Sequence, residues 1–340
     1  MTQHLYKYNK RFYPENGGVL PEMEICYYTS SGSAAGKKVI WICHALTANA
    51  NPEEWWDTLV GAGKYFDTDA YFIVCANILG SCYGSTGPQS VRQPGGKPYL
   101  LDFPLISIRD MIAAHELLRA HLGIEQVDLA VGGSSGGFQV LEWAISNPSL
   151  IRNICLIACN ARISPWGTAF NESQRMALKA DATFEAQQHA GGGKKGLECA
   201  RSIALLSYRS HAGYGATQRE TDDNCLLAQR ACTYQQHQGR KLSARFNAYA
   251  YYYLTLGLDT HNVGRGRGGV AKALSTVRAN TLCIGIDSDV LFPVSEMRDM
   301  AAHIPGAKLE IISSAYGHDG FLLEHEQLRR KLDPLRRQHL

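Results

Sequence analysis

The residues best suited to chemistry lie at Gly132-Gly133-Ser134-Ser135-Gly136-Gly137. The apolar, β-prone run Val127-Asp128-Leu129-Ala130-Val131 leads into a Gly-x-Ser-x-Gly turn, and Phe138-Gln139-Val140-Leu141-Glu142-Trp143-Ala144 then reads as a helix. In that strand–turn–helix setting glycines permit a sharp, strained corner, and the serine hydroxyl projects above the sheet beside a helix N-terminus. Such a serine is presented as a nucleophile. The bare pattern is common, so the flanking elements must carry the assignment. Two frames fit, one centred on Ser134 and one on Ser135. The Ser134 frame leaves Gly137 as a third small residue where the helix must pass close to the sheet, and it is the frame we favour.

A nucleophilic serine needs a base, an orienting carboxylate and an oxyanion hole. In α/β-hydrolase sheets the partners follow in the chain order Ser, Asp or Glu, His. Ile284-Gly285-Ile286-Asp287-Ser288-Asp289 leaves a strand with two aspartates, and Ser313-Ser314-Ala315-Tyr316-Gly317-His318-Asp319-Gly320 leaves the next with a histidine framed by glycines. His318 is the candidate base among 12 histidines, and Asp287 and Asp289 compete for the third role. Spacing alone does not choose between them, and the loser would serve as a capping residue. The oxyanion hole would use the N–H of Ser135, the residue after the nucleophile, and one from the loop Cys43-His44-Ala45-Leu46-Thr47, where Leu46 is the candidate.

These groups need a scaffold. Apolar runs at 39–43, 71–76, 127–131 and 154–158 read as buried strands, 281–286 and 309–312 read as strands, and 108–122 and 294–303 have helical spacing. Alternating strands and helices point to an α/β fold with a mostly parallel central sheet flanked by helices. From Ile163 to Asp259 helical periodicity continues without convincing strands, which predicts a helical lid inserted over the C-terminal edge of the sheet. We place the core at 1–163 and 265–340 and the lid at 164–264. Gly264-Arg265-Gly266-Arg267-Gly268-Gly269 neither follows a strand nor resembles a Walker motif, so it reads as a loop, not a phosphate cradle.

The chain has 340 residues, is 45% hydrophobic and 19% charged, and carries a formal net charge of +3. That balance suits a globular protein with a sizeable core and gives no nucleic-acid footprint. No stretch approaches the ~18 apolar residues of a membrane span, and the N-terminus lacks an apolar signal segment. Of ten cysteines, Cys26, Cys43, Cys75, Cys155 and Cys283 lie in apolar runs, and no Cys-x-x-Cys pair occurs. Reduced core thiols and a cytoplasmic setting are expected, with no metal site.

Several motifs together resemble the homoserine O-acetyltransferase family. They are His44-Ala45-Leu46-Thr47, Asn77 to Pro88, Gly132 to Gly137 with Leu141 to Ala144, and Gly196-Leu197 with Ala200-Arg201. Ala244-Arg245-Phe246-Asn247, Asp287 to Pro293 and Tyr316-Gly317-His318-Asp319 complete the set. The resemblance runs collinearly through nearly the whole chain. It implies an α/β-hydrolase fold with a helical lid that also forms a homodimer interface. It implies transfer of an acyl group from acyl-CoA, acetyl-CoA being the expected co-substrate, to the hydroxyl of L-homoserine in methionine biosynthesis, with no resident cofactor. Carried over residue by residue, it assigns Ser134, Asp289 and His318 to the triad, Leu46 to the oxyanion hole, and Arg201 and Asp319 to homoserine. A guanidinium can clamp the carboxylate of that zwitterion while a carboxylate holds its ammonium. The chain departs from the family at Ser135, where Met or Leu is common, at Gly320, where Ala is usual, and in a short segment before Arg201 holding Gly-Gly-Gly-Lys-Lys.

Overall fold

The computed structural model describes residues 1–92, 96–186 and 188–339. Eight strands form one sheet: β1 (Thr2–Tyr8), β2 (Met23–Thr29), β3 (Val39–Cys43), β4 (Phe72–Ala76), β5 (Val127–Gly133), β6 (Ile151–Ile157), β7 (Asn280–Ile286) and β8 (Lys308–Ile312). Their spatial order is β1-β2-β4-β3-β5-β6-β7-β8. The pairs from β4 to β8 are parallel, whereas β1 with β2 and β2 with β4 are antiparallel. Every residue of β3, β4 and β5 is buried, because helices cover both faces of the parallel part, and such strands read as continuous apolar runs.

The antiparallel β1–β2 edge is the part the sequence reading did not identify. β1 is largely exposed and its side chains are mostly polar or amphipathic, so neither an apolar run nor clean alternation marks it.

The short helix α1 (Pro52–Trp55) precedes β4, α2 (Ile108–His121) precedes β5, and α3 (Ser135–Ser146) follows it. Ser107 and Asp110 start α2 with a reciprocal capping box, each side chain bonding the other's backbone N–H. The chain then leaves the sheet. Arg162 and Asn262 pair as an antiparallel neck, and between them the assigned elements are helices only. They are α4 (Pro165–Lys179), α5 (Ala182–Glu185), α6 (Lys194–Tyr208), α7 (His211–Gln218), α8 (Gln229–Ser243) and α9 (Ala248–Asp259). α6 packs against both α4 and α8 and reaches the loop that carries His318. The chain re-enters the core through α10 (Val270–Leu274), and α11 (Val294–His303), α12 (Gly320–Leu323) and α13 (His325–His339) complete the layers.

The glycine–arginine run is a structural loop. Arg267 forks onto buried Glu142 of α3, with Nη1–Oε2 at 2.8 Å and Nη2–Oε1 at 2.5 Å, and Arg265 pairs with Glu15. All ten cysteines are free, and the five in apolar runs are buried together with Cys159.

Candidate active site

Ser134 sits where β5 turns into α3, with φ 57° and ψ −126°, a strained conformation for a residue with a Cβ. Its N–H donates to Ile157 O at 2.9 Å, which holds the corner against β6. Two glycines let α3 approach the sheet so closely. A Cβ on Gly136 would lie 2.1 Å from Cys43 O, and one on Gly137 would lie 2.5 Å from Cys159 Sγ. Ser135 is buried, and its hydroxyl has no partner among the described residues. Ser134 Oγ faces His318, whereas the Ser135 hydroxyl faces the interior.

The chain ends of β7 and β8 supply those groups. His318 Nε2 lies 2.8 Å from Ser134 Oγ, and His318 Nδ1 lies 2.7 Å from Asp289 Oδ2. The other Asp289 oxygen accepts from the N–H groups of Leu291 and Phe292 at 2.8 and 3.0 Å, so the carboxylate cannot rotate freely. With Asp289 accepting, Nδ1 carries the proton and Nε2 is free to take one from Ser134. Burial alone would lower the His318 pKa, but the charge of Asp289, its hydrogen bond and nearby Asp319 together raise it above 6.5.

Asp287 has a different use. It accepts from Ser313 Oγ at 2.7 Å and from Ser314 N–H at 3.1 Å, bracing the loop that leads to His318 and capping no helix. Gly320 fits the same crowding: a Cβ there would come within 2.9 Å of Ser314 Cβ.

Leu46 follows β3, and its N–H and that of Ser135 have no protein acceptor among the described residues. They are available to a ligand oxygen.

Arg201 and Asp319 border one pocket of about 240 Å³, shared with Arg209, Lys241, Arg245 and Leu322. The structure adds two residues that the sequence reading did not single out. Arg209 forms an ion pair with Asp319 at 3.0 Å, at an angle too poor for a hydrogen bond. Tyr208 lies between Arg201, whose guanidinium sits 5.2 Å from its ring, and His318, whose ring is 5.7 Å away. Arg201 and Tyr208 lie seven positions apart on one side of α6, and Arg209 follows at its end in extended backbone. That spacing was the available signal. Burial raises the Asp319 pKa, while Arg209, Arg201 and His318 oppose the rise. Neither this pocket nor a larger groove of about 780 Å³, lined by Glu15, Arg162, Asp259 and Arg265, has a triad member in its wall, but the smaller one abuts His318 through its chain neighbour Asp319.

A family model described as the alpha/beta hydrolase fold matches residues 38–325. The homoserine O-acetyltransferase of Cyclobacterium marinum is 46% identical over 333 residues, covering 97% of this chain and 93% of that protein. The chain belongs to the homoserine O-acetyltransferase family. Its relative from Chlorobaculum parvum, with the same name, is 41% identical over 95% of this chain and 92% of its own length. Among solved structures, the homoserine O-acetyltransferase from Bacillus anthracis superposes with a TM-score of 0.85 at 23% identity, covering 100% of this chain and 99% of that one. Esterase E22 superposes with a TM-score of 0.84 at 20% identity, covering 97% and 99%. The fold thus houses both transferases and esterases, and the family membership rests on the sequence relatives.

Proposed function

We propose that this chain is a homoserine O-acetyltransferase, moving the acetyl group of acetyl-CoA to the hydroxyl of L-homoserine through an acetyl-serine. The observation that carries this reading is the charged pocket beside the triad. An esterase acting on neutral esters has no use for Arg201 and Asp319 at the edge of His318, whereas a zwitterionic acceptor needs one charge of each sign.

In the first half-reaction His318 Nε2 takes the Ser134 proton as Oγ attacks the thioester carbonyl. The N–H groups of Leu46 and Ser135 hold the developing oxyanion. The C–S bond then breaks, and His318 returns the proton to the departing CoA sulfur. In the second half, Arg201 binds the homoserine carboxylate and Asp319 its ammonium, which then shares the carboxylate with Arg209. His318 takes the hydroxyl proton, the hydroxyl oxygen attacks the acetyl-serine, and Ser134 leaves as the alcohol with that proton. No resident cofactor is required, because acetyl-CoA brings the group as a co-substrate.

A homodimer through the lid accompanies this reading, supported by the exposed apolar residues Met176, Leu206 and Leu226 there. A cytoplasmic setting for methionine biosynthesis is supported by the free, mostly buried thiols. Among the described residues no helix is long and apolar enough to cross a membrane.

The test follows free CoA and product mass with acetyl-CoA or succinyl-CoA, each with L-homoserine, L-serine or no acceptor. Homoserine-dependent CoA release with an O-acetylated product is expected. A succinylated product, an O-acylserine, or equal CoA release without acceptor would each replace the reading by the corresponding activity.

A further inference from the structure

The loop His44–Thr47 that carries the Leu46 N–H is tied down at three of its carbonyls by three side chains. His44 Nδ1 donates to Ala45 O at 2.9 Å, while His44 Nε2 accepts from Ile78 N–H at 3.2 Å, which fixes the tautomer. Ala45 C=O and Leu46 N–H belong to one planar trans peptide and point in opposite directions. A bond that fixes the carbonyl therefore aims the N–H. Gln139, fully buried on α3, donates from Nε2 both to His44 O at 3.2 Å and to Ser135 O at 3.1 Å. One side chain thus links the two segments that present the free N–H groups.

The third restraint comes from elsewhere. Arg245 belongs to the lid, 198 residues away in the chain, and its Nη1 donates to Thr47 O at 2.8 Å and to the Tyr83 hydroxyl. Its neighbours anchor the same junction. Phe246 packs edge-on against Tyr83 with ring centroids 5.5 Å apart, and Asn247 caps α9 by accepting from Tyr249 and Ala250 N–H. The Ala244-Arg245-Phe246-Asn247 motif is therefore where the lid seats on the oxyanion loop.

We propose that Arg245 is a positioning residue: docked with the lid, it holds the Thr47 side of the loop so that Leu46 N–H points at the oxyanion formed above Ser134. Gln139 and His44 hold the other side from within the core. The consequence is a gate on chemistry. The hole is complete only when the lid is seated, so the acetyl-serine forms in a site already closed to bulk water. The proposal rests on the acetyl-transfer reading.

The test uses the full chain, with Arg245→Met to remove the donors but keep the aliphatic stem, and Arg245→Lys to restore one donor. Two thioesters are compared, acetyl-CoA and S-acetyl-N-acetylcysteamine, the second lacking the nucleotide and its phosphates. Losing one oxyanion donor costs on the order of 10²–10³ in kcat. Loosening one should cost Arg245→Met about tenfold or more in kcat, equally with both donors and at saturating homoserine, since Arg245 also borders the pocket of Arg201 and Asp319, and Arg245→Lys recovers part of the loss. Inhibition by an acetyl trifluoromethyl ketone analogue, whose adduct bears an oxyanion, should weaken in parallel. An effect confined to acetyl-CoA would mean that Arg245 contacts the donor's phosphates instead and would overturn the proposal. Unchanged kcat with both donors would overturn it too. If the unmodified protein transfers acetyl from neither thioester to homoserine, the acetyl-transfer reading itself has failed.

Discussion

Replacing Asp289 by Asn tests the triad most sharply, because the surrounding hydrogen bonds dictate how the new amide must sit. Two backbone donors, Leu291 N–H and Phe292 N–H, converge on one side-chain oxygen. The Asn carbonyl must stay there, since turning the NH2 toward two N–H groups would leave buried donors facing each other. The NH2 then faces His318 Nδ1, which must become an acceptor. The imidazole proton moves to Nε2, which faces Ser134 Oγ at 2.8 Å and can no longer accept its proton. In serine-protease triads this change of tautomer costs about 10⁴ in kcat, or about 5.4 kcal/mol of barrier.

The pH dependence separates this cause from simple protonation. In the unmodified protein the first half-reaction needs neutral His318, so its rate should climb as pH rises through a value above 6.5. In Asp289→Asn the charge and hydrogen bond of Asp289 are gone, and burial, the largest influence, lowers the pKa against the smaller pull of Asp319. His318 would then shed its charge more readily yet stay wrongly oriented. Stopped-flow measurement of CoA release from acetyl-CoA between pH 5.5 and 9 should show a deficit of about 10³–10⁴ that alkaline pH does not repair. A loss below about tenfold, or recovery at high pH, would refute the reasoning. Asp287→Asn, which touches only the Ser313–Ser314 loop, should cost far less.

Ser134→Ala should abolish acetylation of the protein by acetyl-CoA, and Ser135→Ala should leave it in place; intact-protein mass spectrometry reads both, and the reverse pattern would move the nucleophile. Arg201→Ala should raise the KM for homoserine by about 10–100-fold, the loss of a charged hydrogen-bond clamp of about 1.5–3 kcal/mol, while CoA release in the first half-reaction continues. Impaired CoA release in that variant would speak against an acceptor role. Gly137→Ala forces a methyl against Cys159 Sγ and should destabilise the fold by about 1–3 kcal/mol in urea titration, and an unchanged midpoint would show that this close approach is not required. Glu142→Gln should cost about 3 kcal/mol by leaving Arg267 without its carboxylate, and an unchanged unfolding midpoint would show that the pair contributes little.

The sequence revealed what depends on local order. Strands buried on both faces appear as apolar runs, and the strained serine corner announces itself through its glycines. The aspartates and His318 stand at strand ends in the order this sheet requires. What needed three dimensions was selection among near neighbours. Asp289 and Asp287 are two residues apart on one loop, and only the fold shows that the first turns to His318 while the second turns to Ser313. Arg209 was hidden because its meaning comes from Asp319, 110 positions later, and an isolated arginine at a helix end usually faces solvent. Arg245 stands in a sequence motif that by itself gives it no role, since a donor to a backbone carbonyl in another segment leaves no pattern in sequence. β1 escaped for the opposite reason: an exposed strand gains its order from pairing and carries few apolar residues.

The most direct test of the central claim is to incubate the protein with acetyl-CoA alone, locate any acetyl group by peptide mass mapping, and then add L-homoserine. The account predicts an acetyl group on Ser134 that persists in water and transfers to homoserine as the O-acetyl ester within one turnover. Acetylation at another residue, or discharge to water as fast as to homoserine, would contradict it.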